Sequence, residues 1–342
     1  MKYLVTGATG FIGSRVVGLL QAAGHEVVVF TRRPAAAGAL NAPGTTTVTG
    51  DVTDAAAVSA AMTGCDGVFH LAGWRSGSGQ GRERAAAINV DGTKNVLIAM
   101  RKLEVKKGVF TSSLAVNSDT RGVQVDEDFV FLGKHLRLYD ETKWLAHHGV
   151  ASPLSLAGLP LVTVMPGMVV GVDNPGIFAR FLKGKLNLIP RRTALCWSHI
   201  DDCAQAHILA MERGVPGRTY IIGGPVATVV EAVDIAAKLT GLPLPKRIVA
   251  PWLLKTAALF TRPFGAALPQ MLQAEYLRSA AGTTYIGDDS RARAELGWQP
   301  RDLEATLRDT LAPLARDLGI SLPSGLERGP AATTAEKAPE RP

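Results

Sequence analysis

Leu4-Val5-Thr6-Gly7-Ala8-Thr9-Gly10-Phe11-Ile12-Gly13 is the stretch on which the fold turns. Met1 to Val5 reads as a short buried strand. Three glycines follow at a spacing of three. An apolar helix pattern (Ile12, Val16, Val17, Leu19, Leu20) opens directly after them. Strand, glycine turn and helix together make a phosphate site. Glycine lets the backbone turn tightly and approach a pyrophosphate, and the helix start offers free N–H groups at the positive end of its dipole. The spacing is Gly-x-x-Gly-x-x-Gly rather than the simplest dinucleotide fingerprint, so the triplet alone also fits chance or tight packing.

Outward from this turn, helix and strand alternate. Gly24-His25 ends the first helix and Glu26 to Phe30 is a second strand. Thr45 to Thr49 is a third, and Asp54 is placed to cap a helix over 55–62. Gly67 to Leu71 and Gly108 to Thr111 are further strands, separated by a long helix over 85–103. Tyr139 to about Leu156 is helical, with Pro153 kinking or ending it. Leu161 to Met165 is a sixth strand. This alternation predicts an α/β fold with a parallel sheet covered on both faces. Beyond Gly171 it breaks into shorter pieces: a helix over 203–213, a strand over 218–222, a helix over 229–239, and segments over 290–296 and 303–314 that close the fold. Residues 1–170 are expected to be mainly the sheet domain and 171–320 mainly a smaller lobe, with some return to the sheet around 195–225. The Gly/Pro/Ala/Thr/Glu-rich end, 323–342, lacks an apolar period and reads as a disordered tail.

The 342 residues carry 46% hydrophobic side chains, enough for a large core. Cys65, Cys196 and Cys203 are odd in number and lack metal-ligand spacing, so free thiols, a cytoplasmic location and no metal site are expected. The first strand begins at once, and no leader is expected. The apolar run 154–171 is broken by Pro160 and Pro166, and reads as a buried strand rather than a membrane span. The net charge of +7 comes with scattered arginines (Arg82, Arg84, Arg101, Arg121, Arg191, Arg192) and no aromatic-interleaved stripe. That favours a solvated surface and an anionic cofactor over nucleic acid. The apolar segment 251–272, with Trp252, Phe260 and Phe264, reads as a helical cap on the core, with a membrane-surface helix as the alternative.

Candidate chemistry lies at the strand ends. After the second strand, where a carboxylate would bind the ribose 2′-OH of NAD, stand Thr31-Arg32-Arg33. Two guanidinium groups suit the 2′-phosphate of NADP(H), with solvated surface as the plain alternative. Asp51 either accepts a bond from an adenine amino group or serves a turn. Tyr139 and Lys143 are i and i+4 on one helix face. A lysine ammonium near a tyrosine lowers its pKa from about 10 and equips it for acid/base work. Ser112-Ser113 end a neighbouring strand and are placed to hold a substrate oxygen. His147 and His148 read as helix surface. In His199-Ile200-Asp201-Asp202 one aspartate is expected to cap the following helix rather than bind metal. Trp74, Arg75 and the loop to Gly81 follow a strand's carboxyl end and are expected to help cover a substrate, and Trp197 to do so from the other lobe.

Taken together, Thr6-Gly-Ala-Thr-Gly-Phe-Ile-Gly13, Gly50-Asp51-Val52, His70-Leu-Ala-Gly73, Asn89-Val-Asp-Gly-Thr93, Phe110-Thr-Ser-Ser113, Tyr139-Asp-Glu-Thr-Lys143, Pro166-Gly-Met-Val-Val-Gly171, His199-Ile-Asp-Asp202 and Leu296-Gly-Trp-Gln-Pro300 resemble the extended short-chain dehydrogenases/reductases, in family order. These are the NAD(P)-dependent epimerases, dehydratases and dihydroflavonol reductase-like enzymes. The resemblance implies a doubly wound Rossmann sheet of about seven strands with a C-terminal substrate lobe. It implies Tyr139 as general acid/base, Lys143 as its partner on the nicotinamide ribose, and Ser113 on the substrate oxygen. Gly7, Gly10, Phe11, Ile12 and Gly13 would line the pyrophosphate. Asp51 and Val52 would flank the adenine, Leu71, Ala72 and Gly73 would line the cofactor, and Pro166 would approach the nicotinamide. After Ser113 members usually reach a Tyr-Gly or Val-Asn pair; here it is Val116-Asn117-Ser118, and Asn117 is a candidate substrate contact. The family also implies a homodimer through helices around 91–103 and 140–156. Met165 replaces a frequent arginine, and the segment after Pro166 lacks the asparagine of many sugar-nucleotide members. The expectation is therefore an NADP(H)-dependent carbonyl reductase or alcohol dehydrogenase acting on a small molecule. A nucleotide-sugar epimerase/dehydratase and a non-catalytic NADP-binding regulator are the alternatives.

Overall fold

The computed structural model describes residues 1–75 and 81–323. The end of the chain read as a tail, from 324 on, and residues 76–80 of the loop after Trp74 lie outside the described residues.

Strands β1 (Lys2–Thr6), β2 (Glu26–Thr31), β3 (Thr45–Thr49), β4 (Gly67–His70), β5 (Lys107–Thr111) and β6 (Leu161–Pro166) form in the predicted places. Shorter strands follow: β7 (Met168–Val170), β8 (Leu188–Pro190), β9 (Ala194–His199), β10 (Thr219–Ile222), β11 (Val226–Thr228), β12 (Arg247–Val249) and β13 (Thr284–Tyr285). The main sheet has seven strands in the order β10-β6-β5-β4-β1-β2-β3, all parallel. Strand order reverses between β1 and β4. In open parallel sheets such a switch point leaves a crevice outside the strand carboxyl ends, where ligands bind. The central strands are buried on both faces, as their continuous apolar runs require.

Helices cover both faces. Phe11–Ala22 and Ile200–Glu212 bury Val16, Val17, Leu20, Leu209 and Ala210 against one side. On the other lie Ala55–Met62 and two long helical runs, 82–102 and 138–156. Asp54 caps the first of these, its Oδ1 accepting from Ala56 and Ala57 N–H at 2.9 and 3.1 Å. Each long run contains a widened π turn, Ala87–Asp91 and Leu145–Ala151, and the two turns pack together. Helix continues past Pro153, which has no N–H to return to the Gly149 carbonyl; the wider turn just before it lets the chain pass.

The remaining elements form smaller sheets, β11-β9-β13 with β7 on β9, and β12 on β8. They are backed by the helices Val229–Thr240 and Leu303–Asp317 around a second core. The helix Pro251–Thr261 departs from the expected core cap. It buries only Leu254 and Ala258, while Trp252 and Phe260 are 64% and 74% exposed. Its inner face meets Ala274, Leu277, Ala280 and Ala281. Among the described residues no helix is long and apolar enough to cross a membrane.

Candidate active site

The glycine turn sits at the switch point. Gly7 has φ +71°, and a Cβ there would lie 2.6 Å from the Ala72 nitrogen and 2.8 Å from the Leu71 carbonyl carbon. A Cβ on Gly13 would stand 2.1 Å from the Gly7 carbonyl oxygen, so the close approach admits only hydrogen. Gly10 begins the helix Phe11–Ala22 without a side-chain cap, and no acid occupies its first turn. The first N–H groups and the positive dipole end are thus left for an anion. Below the turn, Thr6 Oγ1 is 2.7 Å from His70 Nδ1, and His70 Nε2 is 3.0 Å from Thr93 Oγ1. These contacts pin the ends of β1 and β4 to the helix behind them. Burial, aided by the Lys143 charge, pushes the His70 imidazole down to about 3.

At the end of β2, Arg32 Nη1 lies 3.8 Å from Asp51 Oδ2. Arg84 donates to the same oxygen at 3.2 Å, and the Thr53 N–H donates to Oδ1 at 3.0 Å. Burial raises the Asp51 pKa, but hydrogen bonds from Thr53 and Arg84 and the Arg32 charge hold it below the usual carboxylate value. The Arg33 N–H donates to Thr31 Oγ1, and its guanidinium is exposed. Arg84 is therefore a third arginine at this end of the crevice, not the scattered surface charge its sequence context suggests. Nothing local in the sequence pairs it with a residue 33 positions away. Val52 packs beside Gly92, and its carbonyl accepts from Asn95.

At the other end, the structure brings together Ser113, Tyr139 and Lys143. Ser113 follows β5 and caps the short turn Leu114–Asn117 through the Ala115 N–H at 3.1 Å. Tyr139 and Lys143 lie in the first turns of the run 138–156. Lys143 Nζ donates to the Thr111 carbonyl at 2.6 Å and sits 4.8 Å from the Phe110 ring centroid. Burial pushes its pKa down to about 7. Burial raises that of Tyr139, while a hydrogen bond from Ser113 and the charges of Arg75 and Arg137 pull it down. The expected lowering by Lys143 is thus not what dominates here: burial of the phenol outweighs the groups that pull its pKa down, and Lys143 Nζ is turned to the Thr111 carbonyl. Behind this group, His147 Nδ1 is 2.9 Å from Ser112 Oγ, and His207 Nε2 is 2.9 Å from Thr111 Oγ1. His147 is buried rather than on the helix surface, because its face of the helix packs on the sheet; its pKa falls to about 3.

Two groups of contacts, centred on Asn89 and on Asp140, hold the site. Asn89, in the π turn, donates to Thr142 Oγ1 and clasps the Trp74 backbone, accepting from its N–H at 2.7 Å and donating to its carbonyl at 3.0 Å. Asp140, 0% exposed, accepts from Arg137 at 2.7 and 3.1 Å and from the Tyr285 hydroxyl at 3.3 Å. Tyr285 belongs to β13, so this triad ties the Tyr139 helix to the C-terminal elements. The Arg137 guanidinium also lies 5.8 Å from the Tyr139 ring centroid.

The other expected residues divide. Leu71 and Ala72 back the glycine turn, Gly73 is exposed beyond them, and Pro166 ends β6. Arg75 is exposed and acts on Tyr139. Trp74 is half-buried, its indole N–H without a partner among the described residues. Asn117 is 1% exposed, yet neither end of its amide has a partner among the described residues. Trp197 corrects the expectation for it: it is 2% exposed among Phe178 and Val229, its Nε1 donating to the Ala227 carbonyl, and it serves the second core rather than a pocket. The cap of the helix Ile200–Glu212 is likewise His199, whose Nδ1 accepts from the Asp201 N–H. Asp202 instead receives Arg301, and its carbonyl accepts from Trp298 Nε1. No cluster of metal-ligating side chains occurs among the described residues.

The crevice fits a dinucleotide by two observations: a cradle that any Cβ would fill, and a guanidinium-lined end. Residues 3–223 match the NAD dependent epimerase/dehydratase family, and the chain belongs to it. It is an NAD(P)-dependent enzyme of the extended short-chain dehydrogenase/reductase type. It is similar to sterol demethylase protein B of Methylococcus capsulatus, 28% identical over 91% of this chain and 98% of that one. It is also similar to the 3 beta-hydroxysteroid dehydrogenase/Delta 5-->4-isomerase of Mycobacterium tuberculosis, 32% identical over 65% and 64% of the two chains. Among solved structures, gox2253 superposes with a TM-score of 0.78 at 27% identity, covering 93% of this chain and 98% of that one. UDP-glucuronic acid 4-epimerase of Bacillus cereus, in complex with NAD, shares the fold with a TM-score of 0.72 at 21% identity, over 92% and 97% of the two chains.

Proposed function

We propose that the protein is an NADP(H)-dependent oxidoreductase that reduces a carbonyl or oxidises the matching alcohol, with Tyr139, Ser113 and Lys143 as its catalytic residues. The single observation that carries this reading is the hydrogen bond of the Ser113 hydroxyl with the Tyr139 phenol, one helical turn from the buried Lys143. A phenol whose pKa burial raises is protonated at neutral pH, which suits a proton donor to a carbonyl oxygen. Tyr139 gives its proton to that oxygen, and Ser113 donates a hydrogen bond to it. The cationic form of Lys143, with Arg75 and Arg137, favours the phenolate that results. When bound, the cofactor supplies or takes the hydride.

Gly7, Gly10, Phe11, Ile12 and Gly13 would hold its pyrophosphate. Leu71, Ala72, Gly73, Pro166 and Lys143 would hold its nicotinamide half, and Asp51 and Val52 its adenine. Arg32, Arg33 and Arg84 favour a 2′-phosphate, hence NADP(H). Asn117, with Trp74 and Arg75, would meet the substrate, since a buried amide with both ends unpaired is costly unless a ligand or water answers it. The relatives named for sterols and steroids favour an apolar ring alcohol or ketone. Residues 171–320 would form most of the substrate lobe. A homodimer and a cytoplasmic location belong to the same proposal.

The test is a panel of apolar ketones, alcohols and nucleotide sugars, followed by NADPH absorbance and product stereochemistry. Tyr139→Phe should lower kcat by about 10²–10⁴-fold with NADPH affinity kept, the range for a lost general acid. Turnover left intact in that variant would refute the mechanism. Tightly retained NAD with inversion of a sugar would replace the reading by an epimerase.

A further inference from the structure

The helix Pro251–Thr261 is inside out for a surface helix. Such a helix normally turns its apolar stripe to the core and its polar face to water. Here mostly alanine faces inward: Ala257 and Ala258, with Leu254, pack on Ala274, Leu277, Ala280 and Ala281. The large ones face outward. Trp252, Leu259 and Phe260 stand at i, i+7 and i+8, and so share one face; Leu253 borders it. Their exposures run from 45% for Leu253 to 74% for Phe260. The surface continues through Phe264, 61% exposed, and Leu272, 48% exposed. Leu244 and Ile248, upstream of the helix, are exposed as well.

The chain that builds this surface is rich in positive charge. Between Asp234 and Glu275 there is no acidic residue, while Lys238, Lys246, Arg247, Lys255 and Arg262 fall in that interval. Lys246, Arg247, Lys255 and Arg262 are all exposed. Exposed aromatic and leucine side chains flanked by Lys246, Arg247, Lys255 and Arg262, with Glu275 on the neighbouring helix as the acidic exception, complement an anionic lipid surface, which offers both an apolar layer and negative headgroups. A second copy of this chain would bring the same positive charge to the same patch, so the charge disfavours self-association there.

We propose that this face docks the protein on an anionic lipid membrane, with Trp252, Phe260 and Phe264 entering the interface and Lys255 and Arg262 pairing with headgroups. The docking is peripheral; the helix is too short to span. It also lies near the chemistry. The next helix, Ala274–Ser279, packs against it, and Glu275 Oε2 accepts from the N–H of Leu138, the residue before Tyr139, at 3.5 Å. The docking helix is therefore joined to the residue before Tyr139 through one intervening helix.

The test uses the purified full-length chain and sedimentable vesicles, either phosphatidylcholine alone or phosphatidylcholine mixed with phosphatidylglycerol. The expected result is cosedimentation with the mixed vesicles, weakened by added salt and much weaker with phosphatidylcholine alone. Trp252→Ser, Phe260→Ser and Phe264→Ser combined should abolish it. Lys255→Gln with Arg262→Gln should lower it by about 30-fold, from about fivefold per basic residue at an anionic surface. These charge variants lie on the exposed rim and keep the test open should the triple variant fail to fold. Absence of vesicle binding, or binding that both sets of variants leave unchanged, would overturn the proposal. So would a dimer in sedimentation equilibrium that the apolar variants dissociate while vesicles fail to bind.

Discussion

Mild acid should loosen the active site before it affects the rest of the molecule. His70, His147 and His207 are all buried. Each holds a hydroxyl at the carboxyl end of a central strand or just beyond it: Thr6, Ser112 and Thr111. Burial pushes their pKa values down, to about 3 for His70 and His147 and about 4 for His207. In the unfolded chain each titrates near ~6.5. Between these values the unfolded state binds more protons than the folded one, so stability is present above about pH 6.5 and is lost as pH falls. Each imidazole contributes about 1.4 kcal/mol between about pH 7.5 and 5.5, and three together about 4 kcal/mol, a large share of the ~5–15 kcal/mol typical of a domain. Urea denaturation at the two pH values measures this directly. His207→Gln keeps a hydrogen-bonding side chain there but removes one titration, and should abolish about a third of the pH dependence. A midpoint that moves by less than about 1 kcal/mol-equivalent between the two pH values would refute the reasoning, since it would mean these imidazoles are hydrated in the folded state.

Three further outcomes follow from the site. Gly13→Ala places a methyl group 2.1 Å from the Gly7 carbonyl oxygen; the turn must open, and NADPH affinity should fall by more than about tenfold with about 1–3 kcal/mol of stability lost, which isothermal titration and thermal melts would check, unchanged binding arguing against the cradle. Asp140→Asn leaves Arg137, whose side chain is 33% exposed, without its carboxylate, at a cost of about 3 kcal/mol, the low end for a broken buried pair. Because the Asp140 charge raises the Tyr139 pKa, the same variant should move the alkaline limb of reductive kcat/KM to lower pH, and a fixed limb would remove Asp140 from any influence on Tyr139. Arg84→Gln, like Arg32→Ala, should cut the preference for NADPH over NADH by about tenfold or more, as for a lost hydrogen bond to a charged group; equal loss with both cofactors would make Arg84 only a prop for Asp51.

Much of this protein is determined by local sequence. The glycine spacing, the alternation of apolar strands with helices, the cap at Asp54 and the i, i+4 placement of Tyr139 and Lys143 are read from near neighbours. The backbone needs at those places are met within a few residues. Arg137 and Asp140 are legible as an i, i+3 pair, but their burial and their union with Tyr285 are not. Tertiary structure decided those features that join distant residues. Arg84 meets Asp51, His147 turns inward to Ser112, Trp197 enters the second core, and Trp252 and Phe260 face water although composition suggests a buried cap. The physical reason is the same in each case. Composition and periodicity say that a side chain is apolar or charged, but which face is covered, and by what, depends on elements brought in from far along the chain. Protonation equilibria at the site depend on that covering as well.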